Sequence, residues 1–268
     1  MRSFLFFVEG VHDINCVARI LLINEFKEVS NINDIPEIWR SRVPRTYPFV
    51  DNRLDRFIPM PSYFIKNNLC IAMVSANGVG NIIRDIDLYL SNMTKSELKQ
   101  INGVCAIFDA DQKSAKEAFD EKFRKYNKDM VIKKKDFLSG SCRIRGEIIN
   151  MYYYFFPDNY SQGTLESFLL EGAKIVYSDL LDNVNEYLER VDDKYKESWS
   201  RSSENKVKIG CIANIFQPGS ANQISIRYDD WISEESIMYS PVIKKFYDFI
   251  IDILAVSYTH LTLPTTER

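Results

Sequence analysis

Apolar positions along this chain follow two rhythms. Short unbroken runs occur in "SFLFFVEG" (3–10), "NLCIAMVSANGVGN" (68–81) and "GVCAIFDAD" (103–111). Each closes on acidic, glycine or asparagine residues, the pattern of a buried strand ended by a turn. The stretches "HDINCVARILLINEF" (12–26), "IIRDIDLYLSNM" (82–93) and "SAKEAFDEKFRKYN" (114–127) instead space apolar residues three and four apart. That spacing predicts helices, the last with Ser114 as its N-cap. Strand followed by helix, three times over, predicts an α/β fold: a doubly wound, mainly parallel sheet flanked by helices.

Other segments modify this plan. Residues 31–62 are rich in Pro and Arg and are expected to form an irregular insertion, because proline breaks both ladders. Residues 130–156 look β-rich, with a hairpin around "LSGS" (138–141) and an apolar finish in "MYYYFFP". A helix opens in "GTLESFLLEGA" (163–173), and residues 176–255 are mostly helical, interrupted by "QPGSANQ" (217–223). The expected organisation is a catalytic α/β domain over 1–175 and a helical extension over 176–255. The helical pattern of 240–255 runs uncapped into "VSYTHLTLPTT" (256–266), which resembles a translated sequencing adapter. Residues 256–268 are therefore expected to be non-native, with the natural chain continuing beyond Ala255.

Composition narrows the classes. The chain has 268 residues, 46% hydrophobic and 26% charged, with a formal charge of −3, so no global basic field draws it to nucleic acid or membranes. Basic clusters in "WRSRVPR" (39–45), "NRLDR" (52–56) and "FRKYNKDMVIKKK" (123–135) are solvated faces or, taken together, phosphate contacts. No run of about 18 apolar residues spans a membrane, and the start turns acidic too soon for a signal peptide. Five scattered cysteines lack metal-ligand spacing and are expected to be reduced core residues. A cytoplasmic location is expected.

Candidate chemistry collects at three strand ends: Glu9-Gly10 with Asp13, then "SANGVGN" (75–81), then Asp109 and Asp111. In an open parallel sheet, ligands bind outside the carboxyl ends of the strands. Carboxylates gathered there repel one another unless cations answer them, and hard oxygen donors favour Mg²⁺ or Mn²⁺ over zinc. Each signal has a plainer explanation. Asp109 and Asp111 could be a solvated strand end, and Asp13 or Glu166 a first-turn acid favoured by the helix dipole. The glycines of 77–81 could make only a tight turn, and Lys206 could be a solvated lysine. His12 is expected at the surface.

"FVEGVHD" (7–13), "ANGVGN" (76–81) and "IFDAD" (107–111), in that order and on those elements, resemble a TOPRIM domain, nearest to its OLD-like branch. "FPDNYSQGTLESFLLE" (156–171) is similar to that branch's Gly-x-Leu-Glu at a helix start, on Gly163, Leu165 and Glu166. "NKVKIGCIA" (205–213) resembles the segment bearing a lysine that faces the metals, here Lys206. The resemblance implies a bacterial nuclease with two Mg²⁺ or Mn²⁺ ions on Glu9, Asp13, Asp109, Asp111 and Glu166. Glu9, Asp109, Asp111 and Lys206 would be catalytic, and Gly10, Asn77, Gly78 and Gly80 would approach a phosphate. Cleavage of DNA or RNA, in defence against mobile elements, is the implied function. No GxxxxGK[ST] motif occurs, so the ATPase half of OLD proteins is missing. The alternative is therefore a nucleotide- or nucleic-acid-binding module, or an effector silent without a partner ATPase. A HAD-type phosphatase would carry its aspartates on the first strand, and a GT-A glycosyltransferase needs no "VEG" motif.

Overall fold

The computed structural model describes residues 1–43, 60–76, 82–124 and 139–255. Its centre is β1 (Arg2–Val8), six of whose seven residues are buried, as expected of a strand covered on both faces. Helix α1 (Val11–Ile23) follows. Strands β2 (Lys27–Glu28), β3 (Ser62–Lys66) and β4 (Leu69–Ser75) lead to α3 (Ile82–Ser91), with α2 (Glu37–Arg40) lying between β2 and β3. After α4 (Lys95–Leu98) come β5 (Ile101–Asp109), α5 (Ala115–Arg124), β6 (Ser139–Ile144) and β7 (Glu147–Phe156). Helices α6 (Leu165–Val176), α7 (Ser178–Arg190), α8 (Arg201–Phe216), α9 (Asn222–Tyr228), α10 (Glu234–Tyr239) and α11 (Pro241–Ala255) complete the described chain.

The seven strands form one sheet in the order β2-β3-β4-β1-β5-β7-β6. Four adjacent strands, β4, β1, β5 and β7, are parallel, and antiparallel strands flank them on both sides. The expected α/β architecture is thus present, with each parallel crossover returning through helix. Alternate side chains divide the core between the two faces. Phe4, Phe6 and Val8 point towards α1, α6 and the C-terminal helices, whereas Leu5 and Phe7 point towards α2, α3 and α5.

The helices after residue 176 share the core of the first face. Phe246 of α11 packs on Tyr154, Phe156 and Phe168, with ring centroids 4.6, 4.9 and 5.3 Å away. Burying each such ring stabilises by about 1.5–3 kcal/mol. An added Cβ on Gly172 of α6 would lie 2.2 Å from the carbonyl oxygen of Trp231, so only glycine allows this contact. Extension and sheet are one packed body along this face.

Three local expectations are corrected. Part of the 31–62 insertion is ordered: Ile35, Ile38 and Trp39 are buried under the sheet, while 44–59 lie outside the described residues. Strand β3 pairs with β4 through an Asn67-Asn68 turn with Asn67 at φ 51, a left-handed conformation that asparagine tolerates. The β6–β7 hairpin turns at Arg145-Gly146 (φ 49 and 85), not at "LSGS", which enters β6. Two successive positive φ values are what a tight two-residue hairpin turn requires.

The Ser114 cap is present: its Oγ accepts from the Glu117 N–H, and the Glu117 carboxylate accepts from the Ser114 N–H. All five cysteines are free, four of them buried. Among the described residues, no helix is long and apolar enough to cross a membrane. Residues 256–268, and the adapter-like tail with them, lie outside the described residues.

Candidate metal centre

Glu9 directly follows β1, and Asp109 is the last residue of the adjoining parallel strand β5. The two strand ends therefore meet, and the Asp109 N–H donates to Glu9 Oε1 at 3.2 Å. Asp13 lies in the first turn of α1, where the Gly10 N–H donates to its Oδ2 at 2.8 Å. That bond commits the Gly10 amide, expected to be open to a phosphate. Glu166 sits in the first turn of α6 and accepts from Thr164 Oγ1 at 2.7 Å. The Leu165 N–H, at the same helix start, donates to Asp109 Oδ1 at 2.8 Å. Strand β7 carries this helix start to the site, because it is the other parallel neighbour of β5.

Electrostatics show how tightly these groups are gathered. Burial pushes the Asp109 carboxyl well above its ordinary range, and the charges of Asp13, Glu9 and Glu166 push it further. Asp13, likewise buried and facing Glu9 and Glu166, is raised to about 7. Glu9 is also raised by burial, although the Lys122 ammonium opposes the rise. An excess of buried negative charge is what four converging carboxylates should produce.

Asp111 differs. Its side chain is exposed and its backbone is left-handed, at φ 56. It is fixed by its main chain: the Asp111 N–H donates to Gly163 O and the Gly163 N–H to Asp111 O, both at 2.8 Å. Gly163 has φ 147, and a Cβ there would meet Pro157 and Ser167 at 3.0–3.2 Å. This position requires glycine. The bridge ties the β5–α5 loop to the β7–α6 loop, so Asp111 overlooks the carboxylates from the rim.

Two lysines and a histidine approach this edge. Lys122 of α5 pairs with Glu9 Oε1 at 3.0 Å and lies 4.9 Å from the Phe108 ring centre. With 15% of its side chain exposed, against 10% for Glu9, it is the principal positive charge of the site. Lys206 is exposed on α8. His12, expected at the surface, is half-buried, and it feels Glu166 and Lys206 as neighbours. Burial lowers its pKa first; Glu166 opposes this and Lys206 adds to it. Asn77, Gly78 and Gly80 lie outside the described residues.

A cleft of about 910 Å³ adjoins the site. Asp111, Lys122, Gly163 and Thr164 line it, together with Ser202, Asn205 and Lys208 of α8. Lys122 thus borders both the carboxylates and the cleft.

The donor set fits a hard divalent cation in chemistry and in charge: all-oxygen, strongly anionic and mostly buried. It is not a ready-made cage. Among the described residues, no group of three or more His, Cys, Asp or Glu side chains is arranged to hold a metal ion. Lys122 already engages Glu9, while the start of α6 engages Asp109.

Fold and edge together define an α/β protein with an acidic pit at the carboxyl ends of its central parallel strands. Residues 3–254 match the family described as Protein of unknown function (DUF3226), and the chain belongs to that family. No curated protein matches it. A solved structure, that of hypothetical protein PH0156 from Pyrococcus horikoshii OT3, is 18% identical. The likeness covers 95% of this chain and 94% of that one, at a TM-score of 0.48.

Proposed function

We propose that this protein is a divalent-cation-dependent phosphodiesterase acting on nucleic acid, a TOPRIM-type nuclease nearest to the OLD-like branch. The observation that carries this reading is the meeting of Glu9, Asp13, Asp109 and Glu166 at one strand edge, where their charges mutually raise two buried carboxyls. Natural sheets seldom collect such charge without a function for it. Mg²⁺ or Mn²⁺ ions bound here supply charge neutralisation for an in-line displacement at phosphorus.

The chain's own residues do the positioning. Asp109 is held by the Leu165 amide and Glu166 by Thr164, so both carboxylates are oriented before a cation arrives. The Gly163 bridge holds Asp111 in the wall of the cleft. Lys206, exposed on α8, would offset the charge that builds on the phosphate.

A second reading is a nucleic-acid-binding effector that is silent without a partner ATPase. The Lys122–Glu9 ion pair favours it, since it leaves the acidic pit in a resting arrangement. Supercoiled plasmid, linear duplex, single-stranded DNA and RNA, each incubated with Mg²⁺ or Mn²⁺, decide between the two. The nuclease reading expects cation-dependent cleavage of at least one substrate, lost in Asp109→Asn. Binding without turnover of any substrate would overturn it in favour of the effector.

A further inference from the structure

The positive charge at Glu9 is a side chain of this protein, and its location gives it a second possible seat. The Lys122 ammonium contacts Glu9 Oε1 at 3.0 Å, and the same residue lines the cleft. A divalent cation on a carboxylate oxygen sits at about 2.1 Å for Mg²⁺. An ammonium cannot remain against that oxygen, because two positive charges so close in a poorly hydrated site repel strongly. Three other lysines line the cleft, namely Lys113, Lys174 and Lys208. They have carboxylates of their own, on Glu121, Glu171 and Glu204, none of them in the acidic pit. Lys122 is the cleft lysine whose counter-ion a bound cation would claim.

We propose that Lys122 is a displaceable internal counter-ion: it holds Glu9 in the metal-free protein, and cation binding releases its ammonium into the cleft to contact an anionic phosphate. The inference rests on the metal reading above, and it adds a coupling between cation and substrate. Each cation that takes Glu9 also uncovers a lysine for a phosphodiester. The coupling is a change of ion-pair partner for Lys122.

Calorimetric titration of the full chain with Mn²⁺ alone tests the first half. Lys122→Met, which keeps the stem and removes the charge, should bind Mn²⁺ about tenfold more tightly than the wild type, while Lys122→Arg should bind it more weakly. Unchanged or weaker binding in Lys122→Met, beside a wild type that binds, would overturn the proposal and leave the metal site standing. No binding to the wild type at millimolar Mn²⁺ would instead overturn the metal reading itself.

The second half is tested with oligothymidylate in Ca²⁺. Lys122→Met should weaken binding several-fold when Ca²⁺ is present and leave it unchanged when Ca²⁺ is absent. An equal effect in both conditions would mark Lys122 as a fixed contact and sink the exchange. If Lys122→Met does not fold, the wild type suffices. Acetylation of Lys122, followed by mass spectrometry, should rise several-fold on adding Mg²⁺ while that of Lys174 stays level. Reactivity of Lys122 indifferent to Mg²⁺ would refute the release.

Discussion

The acidic edge has an enclosed half and an open half, and they solve the same electrostatic problem differently. Asp13, Asp109 and Glu166 lie between α1 and α6, where among the described residues no ion pair reaches them. Backbone amides and one hydroxyl hold them instead. Lys122, which lines the cleft, pairs with Glu9, and Asp111 on the cleft wall is exposed to solvent. Dipoles orient a carboxylate without cancelling its charge, so the carboxyls of Asp13 and Asp109 are raised while Glu9 keeps a lysine partner. The contrast shows that one sheet edge can keep a charge deficit on one side of a single side chain, here Glu9, and satisfy it on the other.

The largest effect should come from the enclosed half. Asp109→Asn should lower any cation-dependent cleavage by more than about 100-fold, beyond what the loss of an outer-shell partner costs. It should also raise the melting temperature of the metal-free protein, since it removes a carboxyl whose ionised form burial and anionic neighbours disfavour. A fall in both would erase the distinction between the halves.

The pH dependence of metal-free stability comes next. The Asp13 carboxyl is raised from 3.8 to about 7 in the fold, so the folded state keeps its proton where the unfolded chain has lost it. Stability should then be highest near pH 4 and fall as pH rises to about 7, by as much as roughly 4 kcal/mol, because each pH unit is worth about 1.4 kcal/mol. Urea titrations across that range should show the slope, and Asp13→Asn should flatten it. A slope unaltered by the substitution would place the uncompensated charge elsewhere.

In the open half, Lys122→Met should cost metal-free stability about 3 kcal/mol at pH 8, as loss of one partner of a largely buried pair does. The cost should shrink as pH falls, because burial raises the Glu9 carboxyl and without Lys122 it takes up a proton more readily. Gly163→Ala should cost about 1–3 kcal/mol through its backbone strain. Asp111→Asn, at an exposed side chain, should change stability by no more than about 0.5 kcal/mol.

Much of this arrangement was legible in the residues. The runs ending at Glu9 and Asp109 marked buried parallel strands, and sheet topology alone then brings the two carboxylates together. Ser114 announced its cap because an N-cap serine just ahead of a helical pattern is local in sequence. Lys122 was hidden: in "DEKFRK" it reads as one more solvated helix lysine, and its partner Glu9 is distant in sequence. His12 was misplaced for the same reason, since its surroundings come from α6 and α8. The β3–β4 hairpin left a signal that was passed over. Asn67-Asn68 between two apolar runs is a turn, but it lay beside proline-rich sequence that suggested no strand at all.

The place of β1 at the centre of the sheet carries a consequence for how the chain is made. Phe7 pairs with Val74 on one side and Ala106 on the other, so this strand depends on partners translated much later. At about 5–20 residues per second, both edges of an almost wholly apolar segment wait roughly 5–20 s for the chain that will cover them. During that interval the nascent protein is a ready client for a holdase, and its yield at high expression should depend on how fast residues 101–109 emerge.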